Sequence, residues 1–303
     1  MDVGRALLFV PGDRPDRIAK ALATSADAVA VDFEDAVGDA EKASARAATA
    51  DAFSGLPDAP RPAVYVRIND LDTSEAEEDL AAVASMLTAT RLAGLIVPKA
   101  ESSKEIGLLQ GVLTTAERAA RIEPGSLALI PIIETARGVL EAAATAAASP
   151  RVRTLLFGTL DLAGELGVEP TVEGRELLHA RSQVVLAARA AGLAGPLDGP
   201  YPALDDEAGL IRSSTAAREL GYTGRVVLHP AQVGPVQRLF APTDSELVRA
   251  REVLAAYEEA QKQGVGALRL PDGTFVDRPV VNRAAALVEE AALHAGDRAE
   301  AAR

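Results

Sequence analysis

The chain contains no cysteine. That excludes disulfides, thiolate catalysis and any zinc site built on sulfur. Only three histidines are present, His179, His229 and His294, so a multi-histidine metal centre would consume nearly all of them, and metal chemistry is expected to use carboxylates. Glycine-rich turns of the dinucleotide or P-loop type do not follow any apolar run, which removes the fingerprint of a doubly wound nucleotide-binding sheet. The start Met1-Asp2-Val3-Gly4-Arg5 lacks the basic-then-apolar order of a secretory signal. The run Ala6 to Val10 that follows stops at Pro11-Gly12 and is too short for a signal core. No apolar stretch approaches the roughly 20 residues needed to cross a bilayer. A cytoplasmic protein is the expectation.

Positive charge is also in deficit. Among 303 residues, 31 are basic and 44 acidic, a formal net charge of −13, which argues against nucleic acid or anionic membrane as a partner but leaves room for a small anionic ligand at a local basic patch. A hydrophobic content of 48% is that of a folded globular chain.

Short apolar runs recur, each followed by turn residues and then an alanine-rich stretch with helical spacing. Eight runs read as strands: Ala6 to Val10, Ala28 to Phe33, Ala63 to Ile68, Gly94 to Val97, Leu127 to Ile133, Thr154 to Phe157, Gly195 to Leu197 and Arg225 to Leu228. Helices are expected over Pro15 to Ala23, Ala40 to Phe53, Ser74 to Ala89, Ser103 to Arg118, Gly138 to Ala147, Glu173 to Ala191 and Asp205 to Leu220. Near-continuously apolar strands alternating with helices fit an α/β fold, a TIM (β/α)8 barrel over residues 1–240. Residues 241–303 break the pattern: a helix from Ser245 to Gln263, a hairpin turn at Asp272-Gly273 and a last helix after Pro279 form a lid and oligomerisation extension.

Chemistry in a parallel barrel sits at the carboxyl ends of the strands. Those positions here carry Asp32-Phe33-Glu34-Asp35, Arg67-Ile68-Asn69-Asp70, Pro98-Lys99, Glu134-Thr135, Gly158-Thr159-Leu160-Asp161 and His229-Pro230. Converging carboxylates repel unless a cation holds them, and an oxygen-only site suits magnesium, with manganese a possible substitute. Arg67 offers a planar fork for a carboxylate. A keto acid or hydroxy acid held by metal and arginine fits this mouth. His229, before a proline at a strand end, is read as a structural turn.

With these motifs in order, the chain resembles the citrate lyase beta-subunit-like family, in the superfamily that includes malyl-CoA and citramalyl-CoA lyases. The landmarks run from Arg5-Ala6-Leu7-Leu8-Phe9-Val10-Pro11-Gly12 through Asp32-Phe33-Glu34-Asp35-Ala36-Val37, Val66-Arg67-Ile68-Asn69, Pro98-Lys99-Ala100-Glu101, Ile133-Glu134-Thr135-Ala136-Arg137-Gly138 and Phe157-Gly158-Thr159-Leu160-Asp161-Leu162 to His229-Pro230-Ala231-Gln232. The resemblance implies that Glu134 and Asp161 bind Mg2+, Glu134 also touching substrate, and that Arg67 grips the keto-acid carboxylate. Glu34 and Asp35 match an acidic pair near the metal. Phe9, Arg14 and Lys20 match positions used for the CoA portion; Arg14 and Lys20 lie at and within the first helical turns, where free amides and positive charge suit phosphate. Asp277 matches an aspartate that reaches the active site of a neighbouring subunit, although aspartate before Pro279 is also a favoured helix cap. Leu160 departs from the acidic residue of many relatives, which bears on substrate identity.

The implied activity is Mg2+-dependent carbon–carbon cleavage, or formation, of a 3-hydroxy-3-carboxyacyl-CoA such as malyl-, citramalyl- or citryl-CoA into an acyl-CoA and a 2-keto acid. The implied assembly is a homotrimer or hexamer. A CoA-independent aldolase using pyruvate enolate and a non-catalytic subunit that binds acyl-CoA or keto acid are the alternatives.

Overall fold

The computed structural model describes residues 3–56, 62–87, 92–171 and 173–301, the side chains of 293–301 excepted. Eight parallel strands close into a barrel: β1 (Ala6–Pro11), β2 (Ala28–Asp32), β3 (Ala63–Arg67), β4 (Gly94–Val97), β5 (Ala128–Ile133), β6 (Leu156–Phe157), β7 (Leu197–Asp198) and β8 (Gly224–Val227), each paired with its sequence neighbour and β8 with β1. The TIM barrel expected from the alternation is present.

Both faces of the strands are buried, which is why they read as apolar runs rather than alternating ones. In β2, Ala28 and Ala30 point into the barrel core with Leu7, Tyr65, Ile96 and Ile130, while Val29 and Val31 join the layer between sheet and helices. The helices of that layer are α1 (Pro15–Leu22), α2 (Lys42–Phe53), α3 (Ser74–Met86), α4 (Ser103–Ala119), α5 (Ala136–Ala146), α6 (Thr159–Leu166), α7 (Leu178–Ala190), α8 (Glu207–Leu220) and α9 (Pro230–Phe240). Side-chain caps fix several starts: Ser102 accepts from the Glu105 amide, Thr135 from Gly138 and Asp206 from Gly209.

Helices α6 and α9 stand where no helix was expected. Only eight residues long, α6 has too little sequence to show a period, and α9 carries Pro235 inside it, a residue that normally breaks a helix. The helix expected from Glu173 begins later, because Gly174 is left-handed (φ +61°) and Arg175–Leu177 forms a 3-10 turn before α7. The helix expected to run to Ala89 ends at Met86, and positions 88 and 89 lie outside the described residues.

The chain divides into two compact units, 1–240 and 241–303. The second contains α10 (Asp244–Lys262), started by a Thr243/Glu246 capping box, an antiparallel pair β9 (Leu268–Arg269) and β10 (Phe275–Val276), and α11 (Arg278–Ala301). Its core is Ala250, Val253, Tyr257, Leu270, Val276 and Ala284. Among the described residues no helix is long and apolar enough to cross a membrane.

Candidate active site at the barrel mouth

The strand ends bring the acidic motif after β2, Arg67 and Lys99 into one network. Register places Asp32 directly beside Arg67. Asp32, which the sequence reading did not single out, accepts from Arg67 Nε at 2.7 Å and from Nη2 at 2.6 Å, so the guanidinium fork expected to face a ligand is turned to a neighbouring strand. The other arm, Nη1, lies 2.7 Å from Glu34 Oε2 and 3.5 Å from Asp35 Oδ2. Burial works against the charged guanidinium, but Asp32, Glu34 and Asp35 outweigh it and hold its pKa above the ordinary value.

Glu34 is buried and doubly held, its second oxygen accepting from Lys99 Nζ at 2.9 Å. The loop carrying it is pinned beneath: the buried Lys42 ammonium donates to the Phe33 and Glu34 carbonyls and to Asn69 Oδ1, and Asn69 is fixed in turn by Asp79. Asp35, by contrast, is exposed.

Glu134, just past the end of β5, is 3% exposed. Its Oε1 accepts the backbone N–H of Lys99 at 2.8 Å. Behind it stands Gly158, where an added Cβ would lie 2.2 Å from Glu134 Cβ and 2.6 Å from Oε2, so no larger residue fits while Glu134 keeps this place. Burial, then the charge of Asp161 in the first turn of α6, push the Glu134 carboxyl up to about 8. Asp161 itself is exposed, next to a Leu160 that is 46% exposed. Among the described residues no three or more acids or histidines cluster as a ready-made metal cage. Two hard oxygen donors, one of them a buried carboxyl whose ionisation a nearby cation favours, nevertheless fit a small divalent cation that completes its shell with water and substrate oxygens.

The three positions grouped for an acyl carrier separate. The Phe9 ring lies 5.3 Å from the Arg67 guanidinium carbon, inside the mouth. Arg14, the N-cap of α1, and Lys20, in its last turn rather than its first, are exposed and share Asp16, at 3.4 and 3.9 Å. His229 is exposed and its Nδ1 accepts the Ala231 amide at 3.2 Å, a turn contact. In the second unit, Asp277 precedes α11 and its Oδ1 accepts the Val280 amide at 3.3 Å, the capping geometry foreseen beside its catalytic reading.

Lys99, like Asp32, stands at this mouth without having been given a role from the sequence. It appeared as a strand-end position and in the Pro98-Lys99-Ala100-Glu101 landmark, and its signal, a lysine directly after a proline that follows a strand, is weak by itself. Its φ of +46° is left-handed, rare for a side chain of this size.

Fold and mouth together define a TIM-barrel enzyme whose charged groups lie on successive strand ends. The chain belongs to the HpcH/HpaI aldolase/citrate lyase family, whose model matches residues 5–230. It is 36% identical over 281 residues to citrate lyase subunit beta of Leuconostoc mesenteroides subsp. cremoris, covering 92% of this chain and 90% of the relative. It is 32% identical over 307 residues to the L-malyl-CoA/beta-methylmalyl-CoA lyase of Cereibacter sphaeroides, covering 95% of each. Among solved structures, Mycobacterium tuberculosis CitE in complex with magnesium, acetoacetate and coenzyme A superposes with a TM-score of 0.77 at 33% identity, covering 95% of this chain and 98% of that one. The protein is accordingly an enzyme of the lyase class.

Proposed function

We propose that the protein is a Mg2+-dependent lyase that cleaves, or forms, a 3-hydroxy-3-carboxyacyl-CoA of the malyl, citramalyl or citryl type, yielding an acyl-CoA and a 2-keto acid. The observation that carries this reading is the pairing of buried Glu134 with Asp161, two hard donors whose mutual repulsion a cation relieves, beside the cations Arg67 and Lys99. Support comes from relatives named for citrate lyase and malyl-CoA lyase activity, and from a neighbour solved with magnesium, acetoacetate and coenzyme A.

In this reading Glu134 and Asp161 hold the metal, with Glu34 and Asp35 setting the charge around it. When bound, magnesium supplies Lewis-acid stabilisation of negative charge growing on the substrate's hydroxyl oxygen as it becomes a carbonyl. Arg67 stabilises the substrate carboxylate; Asp32 and the Phe9 face keep its guanidinium from swinging away. Tyr65, Ile96 and Leu156 fill the barrel interior with apolar side chains. Arg14 at the N-cap of α1 and Lys20 in its last turn present positive charge for the phosphates of CoA, exchanging Asp16 for them. The substrate hydroxyl gives up its proton to solvent as its oxygen becomes the keto acid's carbonyl, and the electron pair of the breaking carbon–carbon bond passes to the acyl fragment as a thioester enolate; Asp277, protonated beforehand and supplied by a neighbouring copy in a homotrimer or hexamer, donates the proton that makes it the acyl-CoA. In the condensing direction the same carboxylate removes that proton.

Assay of a panel of hydroxyacyl-CoA thioesters with and without Mg2+ tests the proposal. Release of a keto acid from at least one of them, dependent on the metal, is expected; keto-acid release without metal, or none from any thioester, contradicts it.

A further inference from the structure

We propose that Lys99 is a substrate-binding residue whose ammonium takes an oxygen of the keto-acid carboxylate next to Arg67. The inference deepens the proposed lyase reading and rests on it.

Three cations surround the acidic loop after β2, and their donors are committed very differently. Lys42 is buried and spends its ammonium hydrogens on the Phe33 carbonyl at 2.9 Å, the Glu34 carbonyl at 3.1 Å and Asn69 at 2.7 Å. Arg67 has a side chain 10% exposed and turns Nε and Nη2 to Asp32 and Nη1 to Glu34 and Asp35. Little of its donor capacity remains. Lys99 has a side chain 37% exposed, and its ammonium makes its contact with Glu34 Oε1 through one of three hydrogens. Among these three described cations it is therefore the one that is both open to solvent and able to donate further.

Backbone geometry points the same way. A lysine held at φ +46° costs free energy that the surrounding contacts must offset, and such positions concentrate where function fixes a side chain. Here the amide is tied to Glu134 and the ammonium to Glu34, so both ends of Lys99 are set against the acids proposed to surround the metal. A long, mobile side chain is thereby prepositioned at little further entropic cost on binding. The mouth as a whole holds Asp32, Glu34, Asp35, Glu134 and Asp161 against Arg67 and Lys99, so an anionic substrate needs each available cation.

Titration calorimetry with oxalate in the presence of Mg2+ tests the role directly, since oxalate carries the carboxylate and adjacent oxygen common to 2-keto acids. Lys99→Gly keeps the left-handed backbone at ease and removes the ammonium; Lys99→Arg keeps a cation. Oxalate affinity is expected to fall about tenfold or more in Lys99→Gly and to recover to within about threefold of wild type in Lys99→Arg. Mg2+ affinity measured without oxalate is expected to stay within about threefold in both, and both variants are expected to unfold cooperatively. Unchanged oxalate binding in Lys99→Gly, or a loss no larger than its loss of Mg2+ affinity, overturns the assignment and leaves the lyase reading standing. A wild type that binds no oxalate with Mg2+ overturns both.

Discussion

Glu134 packs directly on Gly158, so closely that a single methyl group at position 158 would overlap its Cβ at 2.2 Å. The contact ties the end of β5 to Gly158, directly before the helix whose first turn carries Asp161, and thus sets two proposed metal donors against each other across a position that only glycine can occupy. Gly158→Ala is expected to displace the Glu134 side chain and weaken Mg2+ binding at least tenfold, on the order of 1.4 kcal/mol. Calorimetric titration of the metal checks this, and wild-type affinity in the variant would count against the pairing.

Because the Glu134 carboxyl is pushed up to about 8, the metal-free protein should respond to pH in an unusual sense. Between about 4.5 and 8 the folded form retains a proton that the unfolded chain has released, so stability contributed by this group falls as pH rises through that window, by at most about 1.4 kcal/mol per pH unit. Mg2+ favours the ionised carboxylate and should remove the slope. Urea denaturation from pH 5 to 8.5, with and without Mg2+, distinguishes this from a pH-independent site.

Asp277 caps α11 and is also assigned the proton transfer. Asparagine caps a helix about as well as aspartate but cannot carry the proton at neutral pH. Asp277→Asn is expected to leave the melting temperature within about a degree and to lower turnover about 10²- to 10⁴-fold. Full turnover in that variant would leave the residue with the cap alone.

Far from the metal donors, Arg151 grips Glu117 by two bonds of 2.8 and 2.6 Å, both side chains nearly sealed from solvent. Glu117 also accepts the Gly125 and Leu127 amides, and these bonds, opposing its burial, keep its pKa low. Glu117→Gln leaves a buried guanidinium without its counter-charge and should cost about 3–5 kcal/mol of stability. Chemical denaturation measures the loss, while Mg2+ affinity of the folded variant should be unaltered.

The barrel was legible because strands buried on both faces write themselves as apolar runs, and the eight runs fall on the eight observed strands. Helix α9 escaped because Pro235 mimics a break, and α6 because eight residues cannot establish a period. At the site, the sequence marked strand-end acids and Arg67 from the rule that barrel chemistry sits there. It could not show that Asp32 would claim the Arg67 fork, since that depends on the β2/β3 register, nor that Lys99 would adopt a left-handed backbone. Phe9 illustrates the same limit: five residues before Arg14 in sequence, it lies on β1 with its ring against Arg67, while Arg14 belongs to the exposed start of α1.

Glu134 and Asp161 are proposed to hold the metal on which carbon–carbon cleavage depends. The direct measurement is Mg2+ titration by calorimetry on wild type, Glu134→Gln and Asp161→Asn, paired with thioester cleavage on the same samples. Each substitution is expected to weaken Mg2+ binding tenfold or more, about 1.4 kcal/mol or more per lost donor, and to abolish Mg2+-dependent release of the keto acid. Wild-type Mg2+ affinity and turnover in either variant would contradict it.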